Sequence, residues 1–220
     1  MDRFGYAKTV DVSVYERNKE SIGQENQYRF FVMNTDKICV FTDTGKLHLL
    51  KVLDVPFGKF RDKGTPIDNL CNYQSSQEQI VQVCPLQTVK MSLLLFATKQ
   101  GMLKQVEGVE FDVSKRTVAA TKLQEGDALC FVTCVGDTRQ LVLQTREGYF
   151  LRFPISEIPM KKKGAVGVRG IRLSKQDQLE RVYCLGSVEE EVTARYKDRV
   201  VHLNRLRIAR RDTKGTKARP

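Results

Sequence analysis

Lys161, Lys162 and Lys163 stand in a row, and Arg169 and Arg172 follow within nine residues. A second cluster, Arg205, Arg207, Arg210 and Arg211, comes near the end of the chain. Cations spaced this closely suit one kind of chemistry: they neutralise a polyanion, and each one that meets a phosphate releases condensed counterions. Affinity gained that way carries no base-sequence information. The small residues of "GAVGVRG" would also let backbone amides come close to phosphate oxygens. Lys8 and Lys104, three residues after a glycine, and Arg152, four after one, are further candidates. The ending "TKGTKARP", with Lys214, Lys217 and Arg219, is small and polar, and reads as a mobile basic tail over 213–220.

The charge is lopsided. Residues 161–220 hold 17 Lys and Arg against 7 Asp and Glu, whereas residues 1–160 hold 20 against 19. An excess gathered on the last quarter of an otherwise neutral chain points to a polyanionic partner. Enzyme chemistry is poorly represented. Neither His48 nor His202 stands near a candidate nucleophile, no paired carboxylates recur at a helical offset, and no G-x-x-x-x-G-K-[ST] loop occurs. The six cysteines (Cys39, Cys71, Cys84, Cys130, Cys134 and Cys184) never form C-x-x-C, so buried free thiols are expected, with no metal and no cofactor. A protein-interaction scaffold is the competing class, but the chain lacks Trp and places its bias in cations. No apolar run reaches 18 residues and the N-terminus lacks the pattern of a signal peptide, so a cytoplasmic location is expected.

The elements that must hold these cations repeat. "FTDTGKLHLL", "FATKQGMLKQ" and "LQTREGYFLR" each place an apolar run, a Thr-x-x-Gly turn and a second run around Gly45, Gly101 and Gly148, with a weaker form at Gly5. A glycine between two β-type runs supplies the positive φ of a tight hairpin. Leucines closing small-residue stretches, Leu70, Leu123 and Leu173, follow those three glycines by 25, 22 and 25 residues. Acids opening a strand, Glu78, Asp127 and Asp177, precede the next turn by 23, 21 and 22, with Arg199 taking the glycine's place in the last copy. Markers keeping one period predict an all-β, propeller-like array of about five four-stranded blades over residues 1–212, with partial blades at both ends. The stretch 12–29 lacks these markers, so fewer strands or a long loop is expected there. Lys8 and Lys104 share a strand face by spacing, whereas Arg152 needs a register shift or another role.

Together, "FGYAKTVD", "FATKQGMLKQV", "LQEGDALCFV", "LQTREGYFLRFPISEIP" and "KKKGAVGVRGIRLSKQDQLERVYCL" resemble the C-terminal domain of the A subunit of bacterial type IIA topoisomerases, gyrase and topoisomerase IV. The likeness runs from Arg3 to about Thr216. It implies a β-pinwheel, a disc of strand-swapped blades whose basic rim binds and bends double-stranded DNA without chemistry of its own. The catalytic tyrosine would lie in another domain of the same polypeptide, and the ATPase site in a partner subunit. Gyrase A subunits carry a Gln-Arg-Arg-Gly-Gly-Lys-Gly type box in the first blade, and "YERNKESIGQENQ" has no such run. The resemblance therefore favours a topoisomerase IV-like domain.

Overall fold

A computed structural model describes residues 1–186 and 191–218. In chain order its strands are β1 (Tyr6–Ala7), β2 (Lys37–Thr42), β3 (Lys46–Lys51), β4 (Thr65–Pro66), β5 (Ile80–Pro85), β6 (Leu93–Thr98), β7 (Met102–Glu107) and β8 (Thr117–Ala119). Then come β9 (Leu129–Cys134), β10 (Gln140–Thr145), β11 (Tyr149–Pro154), β12 (Val168–Arg169), β13 (Leu179–Leu185), β14 (Thr193–Tyr196), β15 (Arg199–His202) and β16 (Thr216–Lys217). Three short α-helices, α1 (Val12–Arg17), α2 (Lys19–Glu25) and α3 (Leu86–Lys90), interrupt them. Among the described residues no helix is long and apolar enough to cross a membrane.

The unit is a hairpin, a short 3-10 turn, a strand that pairs backward, and a strand that returns. β2 and β3 form the first full hairpin; β5 comes back to lie on β2, and β8, from the following unit, completes the sheet on β3. The same order gives β9-β6-β7-β12 and β13-β10-β11-β16. Three sheets therefore have four strands, and two at the chain ends, β1-β4 and β14-β15, have two. The all-β array of four-stranded blades is present, and the partial blades expected at both ends are these two-stranded sheets. Among the described residues, β1-β4 and β14-β15 are not hydrogen-bonded to one another.

The runs "ICVF", "LLLFA" and "LVL" are apolar without alternation because their strands are buried on both faces. Cys39 and Phe41 pack with Leu94 and Phe96 between the first and second four-stranded sheets. Leu95 and Ala97, on the opposite face, pack with Leu141 and Leu143 of the next. Ile38 and Val40 cover the β1-β4 end, and Val142 the β14-β15 end. Phe41, Phe96 and Phe111 meet with ring centroids 5.5–5.8 Å apart.

The turn markers are explained atom by atom. Gly45, Gly101 and Gly148 have φ of 75°, 77° and 83°, and their N–H groups donate to the carbonyls of Thr42, Thr98 and Thr145. Asp127 and Asp177 accept, through Oδ1, the N–H of Gln100 (2.9 Å) and Glu147 (3.0 Å), closing the adjoining turn. In the last hairpin the positive φ belongs to Lys197 at 51°, two residues before the expected Arg199.

Two stretches depart from expectation. Residues 12–25 are helical, with Asp11 capping α1 through the Ser13 N–H, yet only Ile22 of the pair is buried, so the sequence shows no amphipathic period there. The segment from 213 to 217 is not a free tail. β16 pairs with Tyr149 and Phe150 as the last sheet's outer strand, which extends the domain past 212; Arg219 lies outside the described residues. "KGT" at 214–216 repeats "KGT" at 63–65, where β4 pairs with β1. In both copies the glycine has positive φ, and an added Cβ would stand 2.6 Å from the Ala7 oxygen at Gly64 or 2.5 Å from the Phe150 oxygen at Gly215. Gly215→Ala should therefore cost about 1–3 kcal/mol in denaturant unfolding; unchanged stability would show that the segment is not held.

Candidate nucleic-acid interface

The cations that sequence spacing grouped fall into two populations, one spent inside the fold and one presented by it. Lys104 on β7 is 1% exposed, and its Nζ donates to the carbonyls of Lys162 (3.2 Å), Lys163 (2.7 Å) and Ala165 (2.8 Å). Burial pushes its ammonium down to about 8, against the opposing pull of Glu110. Lys8 does the same for an earlier loop, donating to the carbonyls of Phe60 (2.6 Å) and Asp62. Arg152 donates to the carbonyls of Asn204 and Leu206 (3.0 Å), and to Gln140 Oε1 (2.6 Å). It stands at the register of Gln105, whose side chain holds the Ile158 carbonyl at 2.6 Å. All three were expected to contact a polyanion directly. The structure instead makes Lys8 and Lys104 clamps on the next unit's loop and Arg152 a clamp on the turn before it, because their charge is taken up chiefly by carbonyl oxygens.

Lys8 and Lys104 clamp loops of the presented population, whereas Arg152 holds the turn at Asn204 and Leu206 that leads into the third such loop. The loops 58–64, 161–167 and 209–215 each lie between a backbone bridge to the preceding sheet and the strand that pairs backward onto it. Glu110 and Glu157 secure two of these loops in the same way, accepting the backbone N–H of Lys163 and of Arg211 at 3.0 Å. Lys162, with its side chain 80% exposed, stays open to solvent beside Glu110 (3.4 Å), and Lys161 is half-buried. Lys163 is more committed, with Nζ on the Glu110 carbonyl at 2.6 Å. Arg207 and Arg210 are exposed, whereas Arg211 donates to the Arg169 carbonyl at 3.1 Å. Arg169 and Arg172 share Asp212, at 3.5 and 3.8 Å, and Arg205 meets Glu191 at 3.1 Å. Lys214 and Lys217 flank the Tyr149 ring, 4.7 and 5.3 Å from its centroid.

Sequence reading missed the first loop, where Lys59, Arg61 and Lys63 are exposed. The signal was available: Val55-Pro56-Phe57 and Ile158-Pro159-Met160 open equivalent loops. One unit lacks the clamp. His48 sits where Lys8 and Lys104 do, but its Nε2 meets Glu78 at 2.9 Å and its Nδ1 meets Thr117 at 3.0 Å. Glu78 as a carboxylate can only accept, so Nε2 carries the proton; in the neutral ring Nδ1 then accepts from the Thr117 hydroxyl, whose oxygen also accepts from Asn72. Burial lowers His48 against the raising pull of Glu78. Burial works to raise Glu78, but hydrogen bonds from Thr42 and Thr44 outweigh it and leave the carboxyl low. With His48 depressed, acidification below 6.5 protonates the unfolded chain first, so stability falls with pH. His48→Gln should flatten that part of a melting-temperature profile between pH 7 and 5.5; an unaltered profile would assign the effect elsewhere.

Among the described residues no group of three or more His, Cys, Asp or Glu side chains is placed to hold a metal ion. Cys39 and Cys71 are buried, the other four cysteines are partly so, and none is bonded; burial pushes Cys84 and Cys130 up to about 12.

The family described as the DNA gyrase C-terminal domain, β-propeller, matches residues 92–135 and 139–185, which correspond to β6 through β9 and β10 through β13. Residues 92–135 and 139–185 belong to the DNA gyrase C-terminal domain family. The DNA gyrase A protein of Lawsonia intracellularis is 29% identical over 204 residues, 88% of this chain and 25% of that protein. Its counterpart from Buchnera aphidicola is 31% identical over 189 residues, 80% of this chain and 22% of that protein. The chain thus spans a quarter or less of these relatives. In fold it is similar to the C-terminal domain of DNA topoisomerase IV, with a TM-score of 0.84 at 24% identity, covering 97% of this chain and 69% of that one. The E. coli ParC C-terminal domain gives 0.73 at 16% identity, covering 100% and 92%. Each matched repeat runs from hairpin to returning strand, so its backward-pairing strand is internal to it, and the second also contains the loop 161–167.

Proposed function

We propose that this chain is a non-catalytic module that binds and bends double-stranded DNA in the A subunit of a type IIA topoisomerase, gripping phosphates through the basic loops of successive units. Its partners would be the rest of that polypeptide together with an ATPase subunit, and its location the cytoplasm. The observation that carries this reading is the repetition of one device: exposed cations at equivalent loop positions in three units, with a side chain of the preceding sheet, buried at Lys104 and half-buried at Lys8 and Arg152, bonded to the backbone of the loop or of the turn leading into it. A solvated basic surface does not require such clamps. A topoisomerase IV-like subtype is supported by residues 12–25, which form a helix pair without a basic glycine-rich run.

Smooth bending of a 20–30 base-pair site by 40–90° costs about 1–6 kcal/mol, so contacts must extend over several units to offset it. The cation excess of 161–220 favours a partial bend over the later blades. Titration of duplex binding against salt should give a log–log slope of about −0.9 for each phosphate contacted. A flat response would remove the phosphate mechanism, and a topology change in nicked-circle ligation would replace the partial bend with a chiral wrap.

A further inference from the structure

We propose that Phe57, Met160 and Ile208 form a row of apolar contacts to DNA, seating on deoxyribose faces beside the phosphates that neighbouring cations hold. This rests on the DNA-binding reading above and adds a salt-independent component to it. The three residues make the same backbone bridge to the preceding sheet, to Thr9, Gln105 and Arg152 respectively. Their side chains are nevertheless 74%, 61% and 48% exposed. Two residues earlier, Val55, Ile158 and Leu206 pack into the hydrophobic clusters, so the backbone that presents each exposed side chain is anchored.

An isolated exposed apolar residue needs no explanation. Three at one register do, because each also has an exposed cation two residues on: Lys59, Lys162 and Arg210. Two extended residues span about 6–7 Å, close to one nucleotide of backbone, so an apolar tip and a cation so spaced can meet adjacent sugar and phosphate. A protein partner fits less well, since the core of a protein interface is depleted in charge whereas DNA interfaces are strongly positive. The loop at 112–116 carries no equivalent bridge among the described residues, so the row skips that unit.

The test uses the full chain and a fluorescent 30-base-pair duplex across a salt series. Phe57→Ser, Met160→Ser and Ile208→Ser should each weaken binding about fivefold at every salt concentration, and the triple variant about 100-fold with an unchanged log–log slope. A triple leucine variant should retain affinity, and Met91→Ser, at a more exposed methionine, should leave it unaltered. If the parent binds no duplex, the DNA reading and this inference fall together. If the parent binds and the triple serine variant stays within twofold of it, the apolar row alone is overturned. A changed slope would show that these residues merely organise loop cations, and would equally overturn it. So would a triple variant that keeps DNA but loses association with a protein partner.

Discussion

Replacing Lys161, Lys162, Arg207 and Arg210 together with glutamine should lower duplex affinity about 10³- to 10⁴-fold at 0.1 M salt, with a salt slope shallower by about 3.6. The two numbers are linked. Each phosphate contact contributes about 0.9 to the slope, and extrapolation to 1 M salt removes the counterion contribution, so four lost contacts give both values. Lys163 and Arg211 provide the internal contrast. Their charges are already directed at the carbonyls of Glu110 and Arg169, so glutamine there should disturb loop order more than slope. Equal slope changes from the two sets, measured by fluorescence anisotropy, would contradict the division into presented and committed cations.

Lys104→Met should destabilise the domain by about 3 kcal/mol, because three carbonyls would lose a charged donor inside the fold and methionine offers none. For a domain of this size that corresponds to about 6–12 °C in Tm. The pH dependence gives a second readout. The unfolded lysine keeps its proton to 10.5 and the folded one only to about 8. Between those values the unfolded chain binds more protons, so this residue's contribution makes stability rise with pH. The methionine variant should lose that rise. Calorimetric scans at pH 8 and 10 that move in parallel for both proteins would assign the shift to another group.

The repeat was legible because its markers are local and physically forced. A hairpin that needs positive φ writes a glycine, and the strand opposite its turn writes an acid to close it. Burial on both faces was legible as well, in apolar runs without alternation. The cations were harder. Lys104 and Lys162 are the same letter, and only the third dimension shows that three carbonyls surround one while solvent surrounds the other. Strand exchange hid the true place of residues 213–217, since a two-residue outer strand carries no apolar signal and its partner lies more than 60 residues away. The repeated "KGT" was the available clue, and it worked through glycine geometry. The helices at 12–25 were invisible because a helix with one buried side chain has no face to write into its sequence.

Each complete sheet receives its outer strand from the unit after it, and this has a consequence for how such molecules are made and altered. During synthesis every hairpin waits, one edge bare, until its successor emerges, so assembly advances from the N-terminus like links closing in turn. Every junction between neighbours is also built to the same plan. A gene could therefore gain or lose one link without inventing a new contact, and the number of links would be free to drift between relatives.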